Sequence, residues 1–106
     1  MGQPVVEYNF YAHRAMEGYF EEINLDEMWT NITYFLKAAI VTAEKSNVRL
    51  ALHANDPPAP VSRGSQQIMG SVAGWKKLTS IVNSPSNGIT FDCGVTREMG
   101  EDPVEV

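Results

Sequence analysis

The chain has 106 residues, enough for one domain with a modest core and too few for two. It is 43% hydrophobic and 20% charged, a balance that excludes intrinsic disorder. A net charge of −5, with Lys76-Lys77 the only adjacent basic pair, argues against a nucleic-acid partner, which needs a basic face to displace phosphate counterions.

No basic start with an apolar run marks a signal peptide, and no apolar stretch is long enough to cross a bilayer. The single cysteine, Cys93, excludes an internal disulfide and suits a reducing compartment, so a cytoplasmic protein is expected. Asn31-Ile32-Thr33 matches the glycosylation triplet but lies in a predicted helix, where we read it as chance.

Residues 5–10, VVEYNF, are β-branched and aromatic and predict a strand with Tyr8, Asn9 and Phe10 at its carboxyl end. Residues 11–24 carry His13 and Arg14 but little periodicity, and read as a long loop. A helix follows, capped by Asp26, with Met28, Ile32, Phe35, Leu36, Ala39, Ile40 and Ala43 recurring at helical spacing. Asn47 stands just past its end, where a left-handed residue is expected.

The helix runs into Val48 to His53, a strand that delivers an imidazole to its carboxyl end. By its period of two, Val48, Leu50 and Leu52 share an apolar face, and Arg49, Ala51 and His53 share the other. From Ala54 to Gly70 the chain has prolines at 57, 58 and 60 and little periodicity, and so predicts a long functional loop. Ser71 caps a shorter helix that buries Val72, Trp75, Leu78 and Val82 and stops at Asn83-Ser84-Pro85.

Residues 88–93, GITFDC, predict a third strand with Ile89 and Phe91 on one face and Thr90 and Asp92 on the other. The face of Thr90 and Asp92 corresponds to that of Ala51 and His53, so both strands end in a metal-ligating side chain pointing the same way. In the tail, residues 102–106 look like the start of a helix.

The pattern β-α-β-α-β predicts parallel strands. Three strands do not close a barrel, which takes eight and about 250 residues. The open edges predict that copies associate.

These residues resemble the mannonate dehydratase family over nearly the whole chain. Tyr8-Asn9-Phe10 is similar to the family's YNF strand end, and Glu27-Met28-Trp29 through Tyr34-Phe35-Leu36 to its MWxNLxYFL helix. Val48 to Pro58 resembles V-x-L/M-A-L/I-H-P-D-D-P-P, and Asn83 to Gly94 resembles D-S-P-x-N-G-L-T-F-C-x-G.

The resemblance implies an α/β fold, here a partial (β/α)8 TIM barrel, and a metal-dependent lyase. Its reaction would be dehydration of a sugar acid, D-mannonate to 2-keto-3-deoxygluconate, with Mn²⁺ or another divalent cation such as Mg²⁺. His53 falls on a metal ligand of the family. The second ligand, a cysteine there, falls on Asp92, with Cys93 one residue later. Either Asp92 is the ligand, or a register shift turns Cys93 inward. Strand alternation favours Asp92, a hard oxygen donor suited to Mn²⁺ or Mg²⁺.

The family's remaining ligands, a histidine and an aspartate on later strands, would fall past Val106, leaving half of the site in this segment. Tyr8, Asn9, His13, Arg14 and Asp56 are the candidate substrate contacts; the general base is unassigned. An isolated chain is therefore expected to be inactive. Two alternatives stand beside this reading: a sugar isomerase or epimerase of the same fold, and a non-catalytic, self-associating barrel fragment. Bland roles compete as well, since Asp92 can equally cap the following turn and Cys93 can be a small buried side chain.

Overall fold

The computed structural model describes residues 22–106. The expected strand at 5–10, and Tyr8, Asn9, His13 and Arg14 with it, lie outside the described residues. Helix α1 (Leu25–Lys45) starts at Asn24, whose Oδ1 accepts the Glu27 N–H at 2.8 Å. The cap thus falls two residues before Asp26. Asp26 and Glu27 occupy the first turn instead, where the helix dipole favours negative charge. Asn24→Ala should cost about 1 kcal/mol of stability, read as a lower urea midpoint at unchanged slope.

The helix ends as its sequence predicts. Asn47 adopts a left-handed φ of 54°, and the Val48 N–H closes on the Ala43 carbonyl at 2.8 Å. Leu36, Ile40 and Ala43 form the buried stripe. Phe35, expected in that stripe, is 55% exposed. It stands over β1 (Leu50–His53), in a cleft of about 230 Å³ shared with Ile32, Leu50 and Leu52.

The loop after His53 is more ordered than its composition suggests. It holds a two-residue hairpin of β2 (Val61–Ser62) and β3 (Ser65–Gln66), turning through Arg63 and Gly64 at positive φ. The Gln66 N–H donates to the Ile23 carbonyl at 2.9 Å, which ties the hairpin to the entry of α1. The short strands carry no clear alternation, so their signal is lost among the neighbouring prolines and glycines.

Helix α2 (Val72–Ile81) is capped by Ser71, whose Oγ accepts the Gly74 N–H at 3.1 Å. Trp75 and Leu78 are buried on its inner face, with Val72 and Val82 packed beside them. Its last turn is closed from a distance: buried Asn87 donates through Nδ2 to the Leu78 and Val82 carbonyls at 3.2 and 3.1 Å.

Strand β4 (Asn87–Thr90) lies parallel to β1, with Leu50 opposite Asn87 and His53 opposite Thr90. It is shorter than expected. Strand pairing ends at Thr90, Asp92 is still extended, and helix α3 (Cys93–Glu98), which carries no strong periodicity, follows at once. Beyond it, residues 103–105 make a turn organised by Asp102, whose carbonyl accepts the Glu105 and Val106 N–H groups at 3.0 and 3.1 Å.

The core gathers Leu36 and Ile40 of α1, Ala54 and Met69 of the long loop, Trp75 and Leu78 of α2, and Val95 of α3. Both strands touch it through partly buried Leu50 and Ile89. Val48 and Leu52, predicted to lie under helices, are 47% and 36% exposed. Among the described residues, β4 is the one strand that stands beside β1.

Candidate functional site

Parallel pairing puts the carboxyl ends of β1 and β4 side by side, which is where such sheets present ligand-binding groups. His53 is the last residue of β1. Asp92 follows β4 by two residues, as the N-cap of α3. Their side chains meet: His53 Nε2 stands 3.5 Å from Asp92 Oδ2, with roughly half and two-fifths of the two side chains exposed.

Each group is held from behind. The other imidazole nitrogen, Nδ1, lies 2.8 Å from the Ala54 carbonyl oxygen. A carbonyl can only accept, so the contact is a hydrogen bond when Nδ1 carries the proton, and a ring protonated there alone turns its Nε2 lone pair toward the carboxylate. Asp92 is fixed by α3, since its Oδ1 accepts the Val95 N–H at 3.0 Å. Its carbonyl accepts the Thr96 hydroxyl at 2.7 Å, and Thr96 is wholly buried. One residue earlier, Phe91 meets the Trp75 ring edge-on at 6.3 Å.

The Asp92 carboxyl is held below the usual carboxylate range, first by the Val95 N–H and then by the Gly94 N–H and His53; partial desolvation opposes them. Cap and site are therefore compatible roles for this side chain. One oxygen closes the helix, and the other faces His53.

Two acceptor atoms directed at one another at this distance repel unless something positive stands between them. A proton on Nε2 satisfies the pair, and so does a cation. Two donors about 2.1 Å from one ion, at angles of 90–110°, lie roughly 3.0–3.4 Å apart, close to what is observed. The imidazole nitrogen and carboxylate oxygen thus fit a shared divalent ion. Among the described residues, no group of three His, Cys, Asp or Glu side chains gathers around a common point.

Cys93 does not turn inward. It is exposed as the first residue of α3, because the strand alternation that would place it has already ended. The expectation of a small buried side chain fails with it. Asp56 is exposed in the loop beside a cis peptide to Pro57. Asn55, two residues after His53, holds the loop by two hydrogen bonds to Met69. Sequence reasoning gave Asn55 and Met69 no role in the site, since only the folded loop brings residues fourteen apart together.

The described residues thus form a parallel α/β unit in which a histidine and an aspartate converge at the strand ends. Comparison with known proteins gives it a family. Residues 4–106 match the D-mannonate dehydratase family, and the chain belongs to that family. It is 37% identical over 75 residues to a mannonate dehydratase of Endomicrobium trichonymphae, covering 71% of this chain and 20% of that protein. With the Bacillus subtilis mannonate dehydratase it shares 36% identity over 84 residues, 79% of this chain and 22% of the relative. The Enterococcus faecalis mannonate dehydratase is 32% identical over 90 residues, 85% of this chain and 24% of its own. The chain thus spans about a fifth to a quarter of the length of these relatives. No solved structure matches it.

Proposed function

We propose that this chain is the part of a sugar-acid dehydratase that supplies two ligands of a divalent-metal site, His53 through Nε2 and Asp92 through Oδ2. The observation that carries the reading is their 3.5 Å approach at the ends of neighbouring parallel strands, with His53 Nδ1 engaged behind. Mn²⁺ or Mg²⁺ suits this nitrogen-and-oxygen pair, and the substrate class is a sugar acid such as D-mannonate.

Dehydration of such an acid removes a proton beside a carboxylate and expels a hydroxyl. A bound divalent ion supplies Lewis acidity toward substrate oxygens. The protein's own contribution is preorganisation: Val95, Thr96 and the Ala54 carbonyl fix both donors before substrate arrives. Asp56, exposed in the loop beyond His53, is the candidate substrate contact among the described residues.

The architecture that suits this site is a partial TIM-type barrel, with the parallel strands β1 and β4 as neighbours in the ring. Among the described residues, Phe35 and Leu52 leave apolar surface beside β1. Self-association of copies covers such surface, so the purified chain should have a mass above the monomer by light scattering at micromolar concentration. A monomer would sink that part of the reading.

The metal site is tested by calorimetric titration of Mn²⁺ into the chain at known oligomeric mass, beside His53→Ala. Binding in the parent that disappears in the variant is expected. Equal binding by both would place the ion elsewhere.

A further inference from the structure

We infer that Asn55 is a positioning residue whose paired hydrogen bonds to Met69 select the tautomer in which His53 offers a lone pair at Nε2. The inference rests on the reading of His53 as a donor atom, and it concerns how the chain prepares that donor.

The peptide linking Ala54 to Asn55 is a rigid plane with a carbonyl on one side and an N–H on the other. Its carbonyl receives the His53 Nδ1–H at 2.8 Å. Its N–H donates to the Met69 carbonyl at 3.1 Å. The Asn55 side chain repeats the link in reverse, Oδ1 accepting the Met69 N–H at 2.8 Å. One residue thus grips both polar groups of Met69.

The grip is anchored in the core. Met69 is 2% and Ala54 6% exposed, and the Met69 carbonyl also takes the indole N–H of buried Trp75 at 3.3 Å. Rotating the 54–55 peptide would break the Asn55–Met69 pair and leave Met69 polar groups unmet in an apolar surround.

Selection is needed because the competing tautomer has a strong attraction of its own. An Nε2–H would donate directly to the Asp92 carboxylate, a charge-assisted bond that consumes both donor atoms. Neutral imidazole has one proton for two nitrogens. A carbonyl held firmly at Nδ1 claims it and keeps Nε2 open. The side-chain acceptor is what this requires at position 55, and either asparagine or aspartate provides it.

The test uses the full, chelator-treated chain in mildly alkaline buffer. Long-range ¹H–¹⁵N imidazole correlations report the His53 tautomer, assigned against His53→Gln. Through-hydrogen-bond couplings from Asn55 N to Met69 C′ report the clamp in the parent chain. The expected result is an Nδ1–H ring with a detectable coupling, preserved in Asn55→Asp. In Asn55→Leu the ring should shift toward Nε2–H, with about 10- to 100-fold weaker Mn²⁺ binding, the usual cost of losing an outer-shell partner.

An Nε2–H ring or an absent coupling in the parent overturns the inference without any variant, so a misfolded Asn55→Leu cannot shelter it. An unshifted Nδ1–H ring in a folded Asn55→Leu overturns it too. Failure of the metal reading looks different: the parent would show the Nδ1–H ring and the clamp yet bind no Mn²⁺.

Discussion

Replacing Gly74 with alanine should be among the most damaging single-methyl changes this chain can undergo. A Cβ at that position falls 2.1 Å from the Ile68 carbonyl oxygen, far inside contact distance, with the Ile68 carbonyl carbon at 3.3 Å and Ser71 Oγ at 3.4 Å. The obstacle is main chain, so no side-chain rotation relieves it. The first turn of α2 would have to lift away from residues 68–71, straining the Ser71 cap and the bond from Trp75 to Met69. Such overpacking costs about 3 kcal/mol, and the better helix propensity of alanine returns roughly 1 kcal/mol. A net loss near 2 kcal/mol lowers the thermal midpoint by about 8–16 °C in a domain of this size. Gly88→Ala is the control, since its Cβ would sit an ordinary 3.8 Å from the Leu50 carbonyl. Equal stability of the two variants would show that the helix and the 68–71 segment are not packed this closely.

Gly74 also shows where the sequence stopped being readable. Inside a helical pattern a glycine registers only as a weak point, and nothing local says that another backbone crosses it. Long apolar periodicities were legible: Leu36, Ile40, Trp75 and Leu78 are buried as their spacing predicts, and Ser71 and Asn47 stand at the helix boundaries assigned to them. The phase of the two strands was legible too, because alternation alone aligned His53 with Thr90 and put Asp92 on the same side. What escaped depends on contacts between distant segments. Asn24 displaces Asp26 as cap because the hairpin fixes the chain at Ile23, and Asn87 closes α2 across nine residues. Phe35 and Leu52 were assigned to the core by pattern, yet pattern cannot report how many strands stand beside β1.

Asp92 should separate into two functions when its substitutions are compared. Asp92→Ser keeps an oxygen able to accept the Val95 N–H, so α3 and the thermal midpoint should stay close to the parent. It removes the oxygen that faces His53, so Mn²⁺ binding in the calorimetric titration should vanish. Asp92→Ala loses both oxygens and should lower the midpoint as well as abolish binding. His53→Ala should complete the set, without binding but with the cap intact. Acid should reproduce the cap effect in the parent chain. The folded Asp92 pKa is depressed, so its contribution is present above the unfolded value near 4 and is lost as pH falls through the lower folded one. Far-UV circular dichroism across that window should show the loss in the parent, and a smaller one in Asp92→Ser, whose cap does not titrate. Should Asp92→Ser bind Mn²⁺ as the parent does, the oxygen facing His53 is no ligand, and the aspartate at this position serves the helix alone.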